Sequence, residues 1–355
     1  MFLTRIFTSH AVRFVILLVA LQAAMCSCSD PTTTIPSTTP ASILPSSTIP
    51  SATLIPTPVI EKVVLVDSDQ SSQTITQPIS TILSELAQVQ GWEFIEIKER
   101  PLQEFDPGTR VVVVLPPDPG LQTLAIENPE IQFLAIGIPG LQPGSNLNII
   151  GPDGFREDRI AFIAGYISTV LTKDWRSGLI NQAPSEWMTA IYQSFTNGMV
   201  YYCGICQLTY PPYYDYPISA SLSEGATDGD WETAVNTLIS KSVKTIFIYS
   251  SEYHLPALEN LSQNGIALLG VNSPPDTLEK SWIMTIRFAP EIKIQDHWDD
   301  LVNRNGGWVE EIPIILDDVN EELFSIGKQD WVQEIIDDVV RGYVETGYTQ
   351  EISYP

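Results

Sequence analysis

Short, continuous apolar runs that end in polar residues constrain this chain more than any other feature. VVLVDSD begins at Val63, RVVVVL spans Arg110–Leu115, QFLAIGI spans Gln132–Ile138, VKTIFIY spans Val243–Tyr249 and IALLGVN spans Ile266–Asn272. None alternates apolar with polar residues, as a strand with one wet face would. Runs of this kind are buried on both faces, which is the condition of a parallel strand covered by helices on either side. Parallel neighbours need a crossover connection, and the segments between the runs have helical spacing. The fold class is therefore α/β.

The alternation occurs twice. In the first half, strands at the VVLVDSD run, Trp92–Ile97, Arg110–Leu115, Gln132–Ile138 and Leu147–Gly151 are separated by helices around Ile75–Gln90 and Gly120–Glu127. In the second half, strands at RSGLI (from Arg176), Ile218–Leu222, Val243–Tyr249 and Ile266–Asn272 alternate with helices at Ser185–Tyr201, Asp228–Lys241 and Leu255–Asn264. The expectation is two Rossmann-like lobes with parallel sheets, joined by a hinge. Residues 59–150 form lobe 1, with about 285–310 returning to it. Residues 151–280 form lobe 2, with about 311–355 returning. The strand Ser281–Phe288, a helix Pro290–Asn303 and EEIPIIL at Glu310–Leu316 are the segments expected to cross back.

Between the halves lies Phe155–Lys173, FREDRIAFIAGYISTVLTK, which reads as one amphipathic helix. Ile160, Ile163, Ile167 and Val170 or Leu171 fall on one stripe. Asp153 is the expected N-cap, with Glu157 and Asp158 in the first turn and Lys173 in the last, all favourable to the helix dipole. Gly165 inside the helix costs about 1 kcal/mol against alanine, which a close packing contact would offset.

Glu157, Ala161, Phe162, Ile163, Ala164, Gly165 and Tyr166 resemble the E-x-x-x-A-F-L-A-G-Y segment of the basic membrane protein family, the PnrA-like solute-binding lipoproteins. That resemblance implies a periplasmic-binding-protein type I layout, a nucleoside-like ligand held between the lobes, and an ABC permease as partner. The chain departs from the family's pattern in places. The family's strand ending Gly-Val/Ile-Asp reads Gly270-Val271-Asn272 here, and its Asp-Asp-x-x-Phe-Asn pattern is only echoed in DSDQSSQTITQ, which has no aromatic residue. Arg287 is the nearest cation to the position of the family's lysine. A ligand-sensing or surface interaction lipoprotein of the same fold is the alternative.

The N-terminus fits that layout. Arg5 and Arg13 precede the apolar segment Phe14–Met25, which is short for a membrane span, so residues 1–28 read as an export signal of the lipoprotein type. Cys28, or Cys26, is the candidate for acylation. Residues 29–58 are rich in Ser, Thr and Pro and read as an extended linker. The expected location is the extracytoplasmic face of a bacterial membrane, held by the lipid. A formal net charge of −25 argues against binding nucleic acid or anionic lipid through a basic patch.

Ligands of open α/β sheets bind beyond the carboxyl ends of the strands. The ligand-binding candidates there are Asp67, Ser68, Asp69 and Gln70 in one half, and Tyr249, Ser250 and Asn272 in the other, with Arg287 as a cation. Phe155, Trp231 and Tyr249 are candidates for a stacking face. Tyr201–Tyr216 is rich in tyrosine and proline and carries Cys203 and Cys206 as a CxxC, expected to be a disulfide in an exported chain, clamping a loop at the cleft rim or surface. No cofactor or metal is expected: His254 and His297 lack paired spacing with other ligands. Nor is an enzyme, because the chain has no G-x-S-x-G elbow, Walker A loop or H-E-x-x-H.

Overall fold

The computed structural model describes residues 59–68, 72–98, 105–172 and 174–348. The expected signal with Cys26 and Cys28, and the whole of the linker, lie outside them, as do Asp69, Gln70 and Lys173.

Lobe 1 is built on β1 (Lys62–Val66), β2 (Glu93–Ile97), β3 (Thr109–Val114), β4 (Gln132–Ile136) and β5 (Leu147–Ile150). Lobe 2 is built on β6 (Ser177–Asn181), β7 (Ile218–Ser221), β8 (Thr245–Tyr249), β9 (Ala267–Gly270) and β10 (Trp282–Phe288). The strand orders are β2-β1-β3-β4-β5 and β7-β6-β8-β9-β10, so one topology is used twice and all of these neighbours pair in parallel. Each sheet gains one outer strand after the chain crosses. Val309–Glu310 (β11) pairs parallel with β5, and Ile314–Asp317 (β12) pairs antiparallel with β10.

Both sheets are covered on both faces, as the apolar runs require. In lobe 1, α1 (Gln73–Gln90) covers one face and α2 (Leu121–Glu127) the other, where Leu121 and Leu124 meet Val112, Val114 and Phe133. In lobe 2, α5 (Asp228–Ser240) and α6 (Leu255–Gln263) cover the outer face, and α3 (Glu157–Leu171) with α4 (Ser185–Cys203) covers the inner one.

The α3 helix departs from its reading as a one-stripe helix. Every residue from Asp158 to Thr169 is buried, because sheet 2, α4 and α9 (Ile326–Val340) surround it. Asp153 is not its cap; the helix starts at Glu157 after Arg156, which makes no capping bond. The close contact expected at Gly165 is present. A Cβ there would sit 2.0 Å from the Phe195 carbonyl oxygen, and one at Gly198 in α4 would sit 1.9 Å from that of Phe162. Two glycines thus let the backbones of α3 and α4 approach each other closely.

Three other expectations change. The helix expected at Pro290–Asn303 breaks at His297 into α7 (Pro290–Asp296) and α8 (Trp298–Val302). EEIPIIL is divided between β11 and β12 in different sheets, with Pro313 just before β12, because proline has no amide to continue a ladder. At the start of α5 the cap is Thr227, whose side chain and Asp230 form a reciprocal capping box, rather than Asp228. The helix α9 has no counterpart among the elements read from the sequence.

The chain crosses between the sheets three times: from β5 to α3, from β10 to α7 at Ala289, and from β11 to β12. The crossings are tied together. The Ala289 amide donates to the Pro313 carbonyl at 2.8 Å, and Arg159 of α3 pairs with Glu311 at 2.7 Å.

Candidate functional site

A cleft of about 1100 Å³ lies between the two sheets. Its walls come from the carboxyl ends of strands next to the point where the strand order reverses in each sheet. Ser68 follows β1, and Leu115, Pro116 and Pro117 follow β3; opposite them, Gln182 follows β6 and Tyr249–Tyr253 end and follow β8. Phe155, Glu157 and Phe288 line it at two of the crossings. This is where open α/β sheets offer loops and helix ends to a ligand.

The candidates read from the sequence divide into those that line this cleft and those that do not. Ser68, Phe155, Tyr249, Ser250, Asn272 and Arg287 line it. Asp67 does not. It is 4% exposed, its Oδ1 accepts the Ser68 amide at 2.7 Å, and it borders a separate groove on lobe 1 with Thr76, Glu96 and Lys98. Trp231 does not either. It is buried on the outer face of sheet 2, where its ring stacks on His254 with centroids 5.5 Å apart. Its aromatic ring made it a candidate for a stacking face, but the start of α5 packs Trp231 on the outer face of the sheet rather than into the cleft.

Several lining groups are already committed to other partners. The Asn272 amide donates to the Ser250 and Ser251 carbonyls at 2.8 and 3.0 Å. The Tyr253 hydroxyl donates to the Asn272 carbonyl and accepts from the Asn272 amide N–H, both at 2.9 Å. Ser250 is buried, and its hydroxyl reaches Gln182 Oε1 at 2.5 Å and the Glu252 carbonyl. These bonds brace the loop after β8 against the end of β9. Asn272 and Ser250 therefore shape the cleft wall, and the Asn272 side-chain donors are used within the protein. Arg287 is likewise paired: its Nη1 lies 2.7 Å from Glu291 Oε1 and its Nε 3.0 Å from Asp317 Oδ2. Because Glu291 is on α7 of lobe 1 and Asp317 is on β12, this guanidinium holds a crossing.

Glu157 was read as a favourable charge in the first turn of a helix and as part of the family-like segment, not as a cleft residue. In the structure it faces the cleft, where the Tyr249 hydroxyl donates to it. Burial lifts its pKa from 4.5 to about 7; the Tyr249 bond opposes the shift and the neighbouring Asp158 charge adds to it. Tyr249 in turn is pushed well above its usual 10, by burial first and then by the Glu157 charge. Asp158, next in the chain, points the other way: its carboxylate takes a bidentate pair from Arg156 at 2.8 Å and a hydroxyl bond from Thr346 at 2.5 Å.

Gln182, Trp187, Glu224, Glu252 and Tyr253 also line the cleft and were not found from the sequence. Applying the strand-end rule to RSGLI would have pointed to Gln182. Phe155 packs edge-on to Phe288, centroids 5.3 Å apart, beneath Gly137, whose φ of 65° and lack of a side chain make room for the ring.

Cys203 and Cys206 are joined in a disulfide. Their loop lies on the surface and not at the cleft rim. Arg176, just before the amino end of β6, donates to the Tyr210 and Pro211 carbonyls at 3.0 and 3.2 Å, and Lys241 at the end of α5 covers the Tyr214 ring at 4.1 Å. Both anchors are at the end of sheet 2 opposite the cleft. Among the described residues, no group of three or more His, Cys, Asp and Glu side chains could hold a metal ion, and no helix is long and apolar enough to cross a membrane.

No protein-family model matches the chain, and no curated protein matches it. Solved structures do. A crystal structure of ABC transporter system solute-binding proteins from Aeropyrum pernix K1 aligns over 83% of this chain and 94% of that one, with TM-score 0.56 and 13% identity. A transcriptional activator of the comK gene from Bacillus halodurans aligns over 82% of this chain and 100% of that one, with TM-score 0.49 and 13% identity. A LacI transcriptional regulator from a Rhodococcus species aligns over 72% and 96%, with TM-score 0.46 and 13% identity. The last two are too loose to carry an argument. At this identity the first shows the fold: two α/β lobes with parallel-dominated sheets, the periplasmic-binding-protein type I arrangement.

Proposed function

We propose that this chain is a solute-binding protein, tethered by lipid at Cys28 to the extracytoplasmic face of a membrane, that captures a small molecule for an ABC importer. One observation carries the reading. A cleft of about 1100 Å³ takes its walls from the strand ends of both sheets and has three chain crossings behind it. A ligand touching both walls stabilises the closed arrangement more than the open one, and a permease that recognises the closed arrangement receives only loaded protein. The Aeropyrum likeness supports the fold-level part of this role. The apolar segment after Arg13, the Cys28 position and the Ser/Thr/Pro linker support the tether.

A nucleoside is the ligand that the family resemblance favours, and Phe155 and Tyr249 supply aromatic rings in the cleft. The chain acts in this reading as a binding protein and not as an enzyme.

Thermal unfolding of the full chain, in mild detergent, against nucleosides, sugars, amino acids and amines tests capture. A ligand at a hundredfold its Kd stabilises the folded state by about 2.7 kcal/mol. Absence of any shift, in protein whose denatured extract holds no small molecule by mass spectrometry, refutes it. Radiolabelled palmitate should enter the wild type and not Cys28→Ser; equal labelling of both refutes acylation at Cys28.

A further inference from the structure

The charges on the cleft wall are unevenly compensated. Among the described residues, four charged side chains line it: Glu157, Glu224, Glu252 and Arg287. The one cation among them is neutralised by the two carboxylates it pairs with, Glu291 and Asp317. None of the three lining carboxylates has an ion-pair partner among the described residues. Glu224 and Glu252 are exposed at the mouth, whereas Glu157 is half-buried in the wall.

Among the described residues, the rest of the lining carries no formal charge and mixes polar side chains such as Gln73, Gln182 and Asn272 with aromatic ones. Phe155, Trp187, Tyr249 and Phe288 line the same cleft. Aromatic faces attract cations through the ring quadrupole, most strongly where water is excluded. An anionic ligand would meet three uncompensated carboxylates and a cation with no free charge to offer. A neutral ligand would offer the Glu157 carboxyl no counter-charge, so closing the cleft over its ionised form would carry the cost of an unpaired buried charge.

We infer that the cleft ligand is an organic cation, an amine or quaternary ammonium compound, whose positive group is held by Glu157 and the aromatic side chains around it. This rests on the small-molecule capture proposed above and replaces the nucleoside that the family resemblance favours. Glu224 and Glu252 at the mouth raise the local concentration of such a ligand, adding to the field of a chain with net charge −25. A committed Arg287 then has a role too: with its charge consumed, it shapes the wall without repelling the cation.

The test is calorimetric titration of the full chain with choline, spermidine and putrescine, with 3,3-dimethylbutanol as a neutral isostere of choline, and with adenosine, glucose and glutamate. Binding of one or more of the cations, with the neutral isostere and glutamate silent, supports the inference. Glu157→Gln, which retains an acceptor for Tyr249, should then weaken that cation by roughly tenfold or more. Glu252→Gln at the mouth should lower its association rate at low salt and lose that effect at high salt. Binding of adenosine or glucose with the cations silent overturns the inference while leaving solute capture intact. Silence of every probe, together with a small molecule in the denatured extract that carries no positive charge, overturns it as well. Silence of every probe with an empty extract overturns both. Undiminished cation binding by Glu157→Gln removes Glu157 from the site.

Discussion

Glu157→Gln should stabilise the ligand-free protein, and by an amount that depends on pH. In the native state burial lifts the Glu157 pKa from 4.5 to about 7, against the Tyr249 hydroxyl bond and with help from Asp158. In the unfolded chain the same carboxyl ionises near its ordinary value. Between the two values the native state holds the proton more often than the unfolded state does, so stability falls as pH rises. The loss begins near 4.5 and is complete above about 7. Integrated over that window it amounts to about 3 kcal/mol. Glutamine has the same shape, accepts from Tyr249 through its amide oxygen and never ionises. The variant should therefore exceed the wild type by about 3 kcal/mol near pH 8, by less than about 1 near pH 5, and by nothing measurable near pH 4. Urea unfolding followed by tryptophan fluorescence at each pH measures the difference directly, and other carboxylates cancel because both proteins carry them. A difference that stays flat from about pH 4 to 8, or a wild type more stable than the variant at the alkaline end, would refute the claim that burial dominates at this carboxyl.

Three more perturbations test the placement of residues. Gly165→Ala puts a methyl group 2.0 Å from the Phe195 carbonyl oxygen, so α3 and α4 must separate, with an expected loss of about 3 kcal/mol in urea unfolding; a loss under about 0.5 would mean the helices are not pressed together there. Trp231→Phe should lower stability by about 1–2 kcal/mol through lost packing against the outer face of sheet 2 and its stacking on His254, while leaving the affinity of any cleft ligand within about twofold; a tenfold change would return Trp231 to the site. The double change Cys203→Ser, Cys206→Ser should likewise leave ligand affinity unaltered, since that loop is anchored at the opposite end of sheet 2, and two reactive thiols in the native wild type would contradict the bond between them.

Much of the architecture was legible because it depends on local pattern. Val111–Val114 and Thr245–Tyr249 declare themselves as strands buried on both faces by having no polar alternation, and each is found in the middle of a sheet. The helix α9 was missed since its few buried residues, Val332, Ile336 and Val339, make a sparse stripe among many acidic neighbours. The break at His297 was missed for a different reason: Trp298 and Leu301 continue the apolar spacing of Ile294, and only the packing of α8 against lobe 1 turns the chain.

The strand ends read from the sequence do line the cleft, but side-chain roles there were not readable. Asn272 is an amide at a strand end, which is all that a sequence can say. That both its donors are taken by Ser250 and Ser251 depends on a loop from another strand folding over it. Arg287 looks like an available cation until Glu291 of α7 and Asp317 of β12 are brought against it. Glu157 shows the converse. Its neighbours in sequence are Arg156 and Asp158, and from them its charge would be expected to be solvated or paired. Instead Arg156 turns to Asp158, and Glu157 is left to Tyr249, more than ninety positions away in the chain.

The sequence by itself thus determined the class of fold, the doubling of the α/β unit and the end of each sheet that faces the cleft. Those follow from apolar periodicity and from the geometry of parallel connections, which act within a few tens of residues. The tertiary structure alone decided which charges in the cleft are neutralised and which are left over. A Coulombic partner is set by distance in space, and burial sets what an unpaired charge costs; neither quantity exists until the two lobes are folded around the crossings.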